Sequence, residues 1–204
     1  MKSYRFCFFS IIIFSSIGMA QSPAPSAPEN AIAMITRLGG TFEIDSLLVS
    51  KPIVKVDLHE TAVRDADLEQ LKHFKELRHL DLRKTMISDA GIKHLRHLTK
   101  LRFLNLFRTQ LSDKGLAQLK PLAAVETLLM GGTSITDNGL KHLKSSSYLR
   151  KVSVFDTKIS DGGIEAFKKV HSLEVLLIGK SKISEAGARE LQQALPRLRF
   201  SEQT

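Results

Sequence analysis

The sequence predicts an α/β solenoid, in which short parallel strands and helices alternate along a stack of similar units. Three observations support this prediction. A 24-residue pattern recurs six times, each copy opens with the alternating apolar residues of a strand, and each copy closes with the apolar spacing of a helix. One such unit has too little apolar surface to form its own core, so the copies are expected to stack on their neighbours.

The pattern is clearest from Leu77 to Lys100, LRHLDLRKTMISDAGIKHLRHLTK. With Leu77 as position 1, apolar residues occupy positions 1, 4, 6 and 11 in the strand and turn, and positions 16, 19 and 22 in the helix. Thr85 stands at position 9, Asp89 at position 13 and Gly91 at position 15. The six copies fill residues 53–196 and begin at Ile53, Leu77, Leu101, Val125, Leu149 and Leu173.

Each column of the repeat suggests a role. Strand side chains alternate, so positions 4 and 6 are expected in the core and positions 3, 5, 7 and 8 on the outer face of the sheet. The hydroxyl at position 9 is expected to bond the turn backbone and to form a ladder down the stack. We expect the aspartate at position 13 to cap its own helix, and the glycine at position 15 to let the helix approach the strands.

These residues resemble the leucine-rich repeat. The pattern LxxLxLxxTxIxDxGLxxLxxLxx is similar to the subtype found in bacterial secreted repeat proteins, where position 9 is usually Thr, and in F-box substrate adaptors, where it is usually Cys. The resemblance covers residues 53–200. It implies a right-handed, horseshoe-shaped solenoid with parallel strands on the concave face, helices on the convex face, and protein binding rather than a common chemistry.

The N-terminus has the layout of a secretory signal peptide. Lys2 and Arg5 precede an uncharged apolar run over residues 6–20, with Gly18 and Ala20 placed for cleavage after Ala20. The run is shorter than the roughly 20 residues that a membrane span needs, so no span is expected after cleavage; an uncleaved anchor is the alternative. Because Cys7 is the only cysteine and no N-x-S/T sequon occurs, a bacterial secreted or periplasmic protein without disulfides is predicted.

The remaining segments flank the repeats. Residues 21–29 contain three prolines and predict an extended linker. Residues 30–52 predict an N-terminal cap, with a helix that ends at Gly39 and Gly40 and a strand that contains Phe42 and Ile44. Residues 197–204 predict a short final strand and a tail.

No catalytic motif is present. His59 and Glu60 begin like a zinc-protease helix, but the fifth residue is Val63 and the segment is a strand. The histidines that recur on the helices lack acidic neighbours of the kind that support metal ligands, so neither a metal nor another cofactor is expected. The sequence therefore predicts a protein that is not an enzyme and has no small-molecule substrate.

Apolar residues gather on the predicted concave face, where they have no structural duty. Phe107 and Phe155 are expected to flank Gly131 at a separation of about 10 Å, twice the strand spacing. An apolar centre with a basic rim is typical of a protein-binding site, although the rings could instead pack over neighbouring rungs. The predicted partner-binding residues are Phe103, Phe107, Leu129, Phe155, Val175 and Leu177, with Arg83, Arg108 and Lys151 at the rim.

The sequence favours an exported, non-catalytic protein that binds a protein or peptide through this face. One alternative is an anionic surface or polymer, such as lipopolysaccharide, a wall polymer or nucleic acid, held by the basic helix face; the net charge of +9 suits it. Binding to such a polymer would weaken steeply with salt. A second alternative, suggested by the resemblance, is a ubiquitin-ligase-like substrate adaptor.

Overall fold

A computed structural model describes residues 26–201. The predicted signal peptide, residues 1–20, and the first part of the predicted linker lie outside this range. Within it, eight strands form one sheet in sequence order. They are β1 (Thr41–Ile44), β2 (Ile53–Asp57), β3 (His79–Asp81), β4 (Phe103–Asn105), β5 (Thr127–Leu129), β6 (Lys151–Ser153), β7 (Val175–Leu177) and β8 (Arg199–Ser201).

The strands β2 to β8 are parallel, whereas β1 is antiparallel to β2. Position 3 of each repeat pairs with position 3 of the next, as His79 does with Phe103. The backbone ladder continues beyond the strands, because the Leu82 amide donates to the Asn105 carbonyl at 2.9 Å and the Lys84 amide donates to the Phe107 carbonyl at 2.7 Å. The predicted α/β solenoid is thus confirmed.

The helical side of the solenoid is less regular than predicted. Short α-helices form in repeats two to six. A 3₁₀ segment replaces the helix in repeat one, and 3₁₀ segments adjoin the helices of repeats two, four and five. The α-helices are α1 (Ala27–Arg37), α2 (Asp89–Ile92), α3 (Asp113–Gln118), α4 (Asp137–Leu140), α5 (Ile164–Phe167) and α6 (Glu185–Ala194), and the 3₁₀ segments are Asp65–His73, Lys93–His97, Lys141–Ser145 and Asp161–Gly163. Strands repeat every 4.7–4.9 Å whereas α-helices pack about 8–10 Å apart, so slim 3₁₀ turns fit the stack better than full helices.

The apolar columns form one continuous core. In the second repeat Leu77, Leu80 and Leu82 of the strand and Leu95 and Leu98 of the helical segment are all fully buried. Positions 4 and 6 therefore point inward as predicted. Position 5 was expected to be exposed, yet it is buried in several repeats; these residues are Asp81, Asn105, Ser153 and Leu177.

The N-terminal cap covers the helical side of the first repeat more fully than the strand side. α1 begins at Ala27, so the last three residues of the predicted linker are helical, and the Ser26 amide donates to Glu29 Oε2 at 2.6 Å to start it. Ala31, Met34 and Ile35 are buried. All four residues of β1 are exposed. No helix among residues 26–201 is long and apolar enough to cross a membrane.

The hydroxyls at position 9 bond within their own repeat. Thr85 Oγ1 donates to the Leu82 carbonyl at 2.7 Å, and Thr109 Oγ1 donates to the Leu106 carbonyl at 2.8 Å. The predicted bond to the turn backbone is confirmed, but the bonds that the structure describes do not link one repeat to the next. Each threonine hydroxyl instead closes the turn that follows its own strand.

The aspartates at position 13 provide the link between repeats. Asp113 Oδ1 accepts a hydrogen bond from the Thr136 amide at 2.8 Å, and Asp113 Oδ2 accepts one from Thr136 Oγ1 at 2.6 Å. The same two bonds recur at five repeat boundaries, from Asp65 to Asp161, and we call this series the carboxylate ladder. The expectation that each aspartate caps its own helix is wrong, because the residue at position 12 accepts the helix amide instead.

The glycine at position 15 makes room for the ladder. A Cβ atom on Gly139 would lie 2.9 Å from Asp113 Cγ, the carboxylate of the preceding repeat, and Gly187 meets Asp161 in the same way. The predicted reason for this glycine, close approach to the strands, is therefore replaced by close approach to a carboxylate. Asp67 stands in the glycine column of repeat one, which has no preceding repeat and so has no carboxylate to accommodate.

Candidate functional site

The most distinctive feature of the concave face is an alternation of large and small residues at position 7. Phe107, Gly131, Phe155 and Gly179 stand on four successive rungs. The Phe107 and Phe155 ring centroids are 6.4 Å apart and the ring planes are inclined by 42°. The rings are closer than the expected separation of about 10 Å between alternate strands. We call these four residues the aromatic strip.

Each phenylalanine of the strip leans over the glycine of the next rung. A Cβ atom on Gly131 would lie 3.0 Å from Phe107 Cδ2, and one on Gly179 would lie 3.0 Å from Phe155 Cδ2. Part of each ring therefore packs against backbone, as the alternative reading of the sequence proposed. Both rings nevertheless stay partly exposed to solvent.

Two cations border the aromatic strip. The Arg108 guanidinium lies 5.3 Å from the centroid of the Phe107 ring, and Lys180 Nζ lies 5.5 Å from that of Phe155. Both distances are within the range of a cation–π interaction. Arg108 was predicted as a rim residue, whereas Lys180 was not, because its ring partner belongs to the preceding repeat.

Phe103 lies on β4, in the same repeat as Phe107, but its ring has a different environment. Its ring stacks on His79 of the preceding repeat, with centroids 3.9 Å apart and planes within 5°. Burial, and then the charge of Lys55, lower the pKa of His79, so the stacked imidazole favours its neutral form. Phe103 therefore extends the apolar surface toward repeat two rather than joining Phe107.

The other predicted residues are spread along the face. Leu129 and Val175 are half-buried, and Lys151 is exposed on β6. Leu177 is only 5% exposed, so it supports the surface from below and offers little area to a partner. Arg83 Nε lies 3.7 Å from Asp81 Oδ2 within its own repeat, two rungs before Gly131.

Comparisons with known proteins agree with the architecture. The family model described as Leucine Rich repeat matches residues 97–119 and 145–168, two segments that start two repeat lengths apart. The chain contains leucine-rich repeats. Its structure is similar to that of an internalin (InlF) from Listeria monocytogenes, with a TM-score of 0.55 and 19% sequence identity. The match covers 90% of this chain and 59% of the internalin chain.

The comparisons establish the fold and leave the function open. No curated protein sequence matches the repeat protein significantly. In contrast, 238 solved chains match its structure, so the fold is too widespread to select one activity. The function must therefore be argued from the surfaces of this leucine-rich repeat protein.

The N-terminal half of the concave face is polar and internally bonded. Asp57 accepts hydrogen bonds from the His59 amide at 3.0 Å and pairs with His59 Nδ1 at 2.6 Å. Burial raises the pKa of Asp57, but the bonds from His59 outweigh it and the net pKa is lowered. Asn105 Nδ2 donates to Asp81 Oδ2 at 3.2 Å. Because these groups bond one another, the aromatic strip is the part of the face with unused contact area.

A backbone feature that sequence analysis missed runs beside the strip. Position 8 adopts a left-handed conformation in all six repeats of the leucine-rich repeat protein, with φ between 53° and 67°. The residues are Glu60, Lys84, Arg108, Gly132, Asp156 and Lys180. Only Gly132 adopts this conformation without strain, and a single glycine in the column was too weak a signal to predict it. No group of three metal-binding side chains occurs among residues 26–201.

Proposed function

We propose that this leucine-rich repeat protein is exported and binds a protein or peptide partner through the aromatic strip on its concave face. The observation that carries the proposal is the pair of partly exposed rings of Phe107 and Phe155. Their centroids lie 6.4 Å apart on the side of the strands that faces away from the core. The family and its fold are typically non-catalytic, which agrees with a binding role. Export rests on the sequence of residues 1–20.

The strip has the composition of an interface centre. Its glycines hold the rings in place from below, so a partner would meet pre-positioned aromatic surface and lose little side-chain entropy on binding. Leu129 lies next to the strip and adds apolar area, while Arg108 borders Phe107. Aromatic side chains surrounded by such a rim are the residues that dominate binding free energy in protein interfaces.

The charge of the rim suggests the polarity of the partner. Arg108, Lys151 and Lys180 have no carboxylate within ion-pair distance among residues 26–201, whereas Lys84 is paired with Glu60 at 2.6 Å. A partner segment with aromatic or aliphatic side chains and a few acidic residues fits this surface. Rim charges of this kind mainly increase the association rate.

A displayed peptide library selected on residues 21–204 tests the proposal. Enriched peptides are expected to bind the double variant Phe107→Ala, Phe155→Ala at least about tenfold more weakly, the loss typical of a hot spot. The matched control, Phe42→Ala with Met86→Ala, removes two exposed apolar side chains elsewhere and should leave affinity unchanged. Peptides that bind the first double variant and the control equally well would refute the concave site.

A further inference from the structure

The convex face carries a second charged surface, unrelated to the aromatic strip. In repeats two to four, five cations at helix positions 17 and 20 are exposed: Lys93, Arg96, Lys120, Lys141 and Lys144. None of them has a carboxylate within 4 Å among residues 26–201. We call these five residues the convex basic patch.

The repeats on either side of the patch are different. In repeat one, Lys72 Nζ lies 2.9 Å from Glu69 Oε1. In repeat five, Lys168 Nζ lies 2.6 Å from both Glu165 and Glu190. Lysines in the same helical columns are therefore neutralised at both ends of the solenoid and left uncompensated in the middle. A solvated face that served only solubility would not need this contrast.

Arg96 of the patch acts on a neighbouring imidazole together with desolvation and with cations outside the patch. Partial desolvation and the cations Arg96, Lys75 and Lys72 lower the pKa of His97. The patch continues at its C-terminal end into a groove of about 310 Å³ between repeats four and five. Lys141, Lys144 and Lys169 line this groove together with the carboxylates of Asp137 and Glu165. The Asp137 carboxylate there is already occupied by its ladder bonds to Ser160.

We infer that the convex basic patch binds a linear acidic polysaccharide. Each of three successive repeats supplies at least one unpaired cation, so the charges form a row that a linear polymer can follow from rung to rung. Positions 17, 18, 20 and 21 of these repeats hold no Phe, Tyr or Trp, the usual stacking platforms for single-stranded bases, and their only rings are those of His94, His97 and His142. They also hold no large apolar side chain that could enter a lipid surface. This site lies on the opposite side of the sheet and is independent of the proposed peptide site.

The test is a titration of the chain, residues 21–204, with end-labelled oligogalacturonide at low and moderate salt. The triple variant Lys93→Gln, Arg96→Gln, Lys120→Gln should bind about tenfold or more weakly and show a smaller salt dependence. The matched control is Lys51→Gln, Lys158→Gln, Lys182→Gln, which removes the same charge from exposed positions elsewhere and should bind within about twofold of the wild type.

Three results would overturn the inference. Equal weakening by both triple variants would show that only net charge matters. Absence of binding by the wild type at low salt would remove the site altogether. Tighter binding of a short duplex DNA or of phosphatidylglycerol vesicles through the same residues would show that the ligand class is wrong. The double variant Phe107→Ala, Phe155→Ala should keep full polysaccharide affinity, which separates this site from the concave one.

Discussion

Replacing Gly139 by alanine should destabilise the protein, although alanine is normally the better helix residue. The new Cβ would lie 2.9 Å from Asp113 Cγ and 3.3 Å from Asp113 Cα. The carboxylate must move, and both of its bonds to Thr136, at 2.8 and 2.6 Å, are then lost. The substitution thus exchanges a link between repeats for a local gain in helix propensity.

The magnitude follows from those two terms. Two hydrogen bonds to a charged group contribute about 3–5 kcal/mol together when partly buried, and the change from glycine to alanine returns about 1 kcal/mol. We expect Gly139→Ala to lower the free energy of unfolding by about 2–4 kcal/mol. Urea unfolding followed by circular dichroism at neutral pH measures this change.

The decisive comparison is the same substitution in an Asp113→Ala background. Without the carboxylate, only the contact with the Cα atom at 3.3 Å remains, so Gly139→Ala should then cost about 1 kcal/mol or less. The coupling between the two sites should therefore be about 2 kcal/mol. If Gly139→Ala is equally destabilising in both backgrounds, the glycine serves some other purpose and the proposed role of the ladder is wrong.

Three further predictions concern stability. Thr109→Val should cost about 0.5–1.5 kcal/mol in urea unfolding, because the Leu106 carbonyl loses its bond from the Thr109 hydroxyl and keeps only the one from the Thr109 amide. Lys84→Gly should stabilise the protein by about 1 kcal/mol. The free energy gained by relieving the backbone strain at a positive φ exceeds the free energy lost with the exposed ion pair to Glu60. Hydrogen bonds from the Ser184 hydroxyl and amide lower the pKa of Asp161. Its stabilising contribution is thus present above the unfolded value of about 3.9 and lost as pH falls through the lower folded value; Ser184→Ala should raise this pKa in a carboxyl-carbon NMR titration.

Matched changes serve as controls for these three. Ser181→Val removes the hydroxyl at position 9 of repeat six. That hydroxyl accepts one long hydrogen bond, from the Ile183 amide at 3.4 Å, so this variant should cost less than Thr109→Val. Met86 lies two residues from Lys84 and has an ordinary φ, so Met86→Gly should destabilise the protein. A loss of stability in Lys84→Gly, equal costs for the two valine variants, or an unchanged pKa of Asp161 would each contradict the corresponding argument.

The fold was predictable because it depends on periodicities that side-chain chemistry makes visible. Leu80 and Leu82 alternate on a strand, and Leu95 and Leu98 follow helical spacing, so their burial needs no three-dimensional information. The carboxylate ladder was not predictable in the same way. An aspartate such as Asp113 at a helix start satisfies a capping role equally well, and only the structure shows that its acceptor atoms face the next repeat.

The candidate site was predictable in outline. Alternation placed Phe107 and Phe155 on one face, but how far each ring leans depends on the room above a neighbouring glycine, which the sequence alone does not measure. Leu177 was expected to be accessible because its strand position is nominally outward. Its burial depends on the packing of the folded stack, which strand alternation alone does not give.

The carboxylate ladder also limits how this chain can grow or shrink by duplication. Each link takes its acceptor from one repeat and its donor and glycine from the next, so a copied interior repeat brings compatible partners for both of its boundaries. The first repeat cannot be placed behind another, because Asp67 would meet the incoming carboxylate. The last repeat carries Glu185, one methylene longer, at its outgoing position. An interior repeat can therefore be copied within the array without loss of a link, whereas a copy of the first repeat would place Asp67 against a carboxylate.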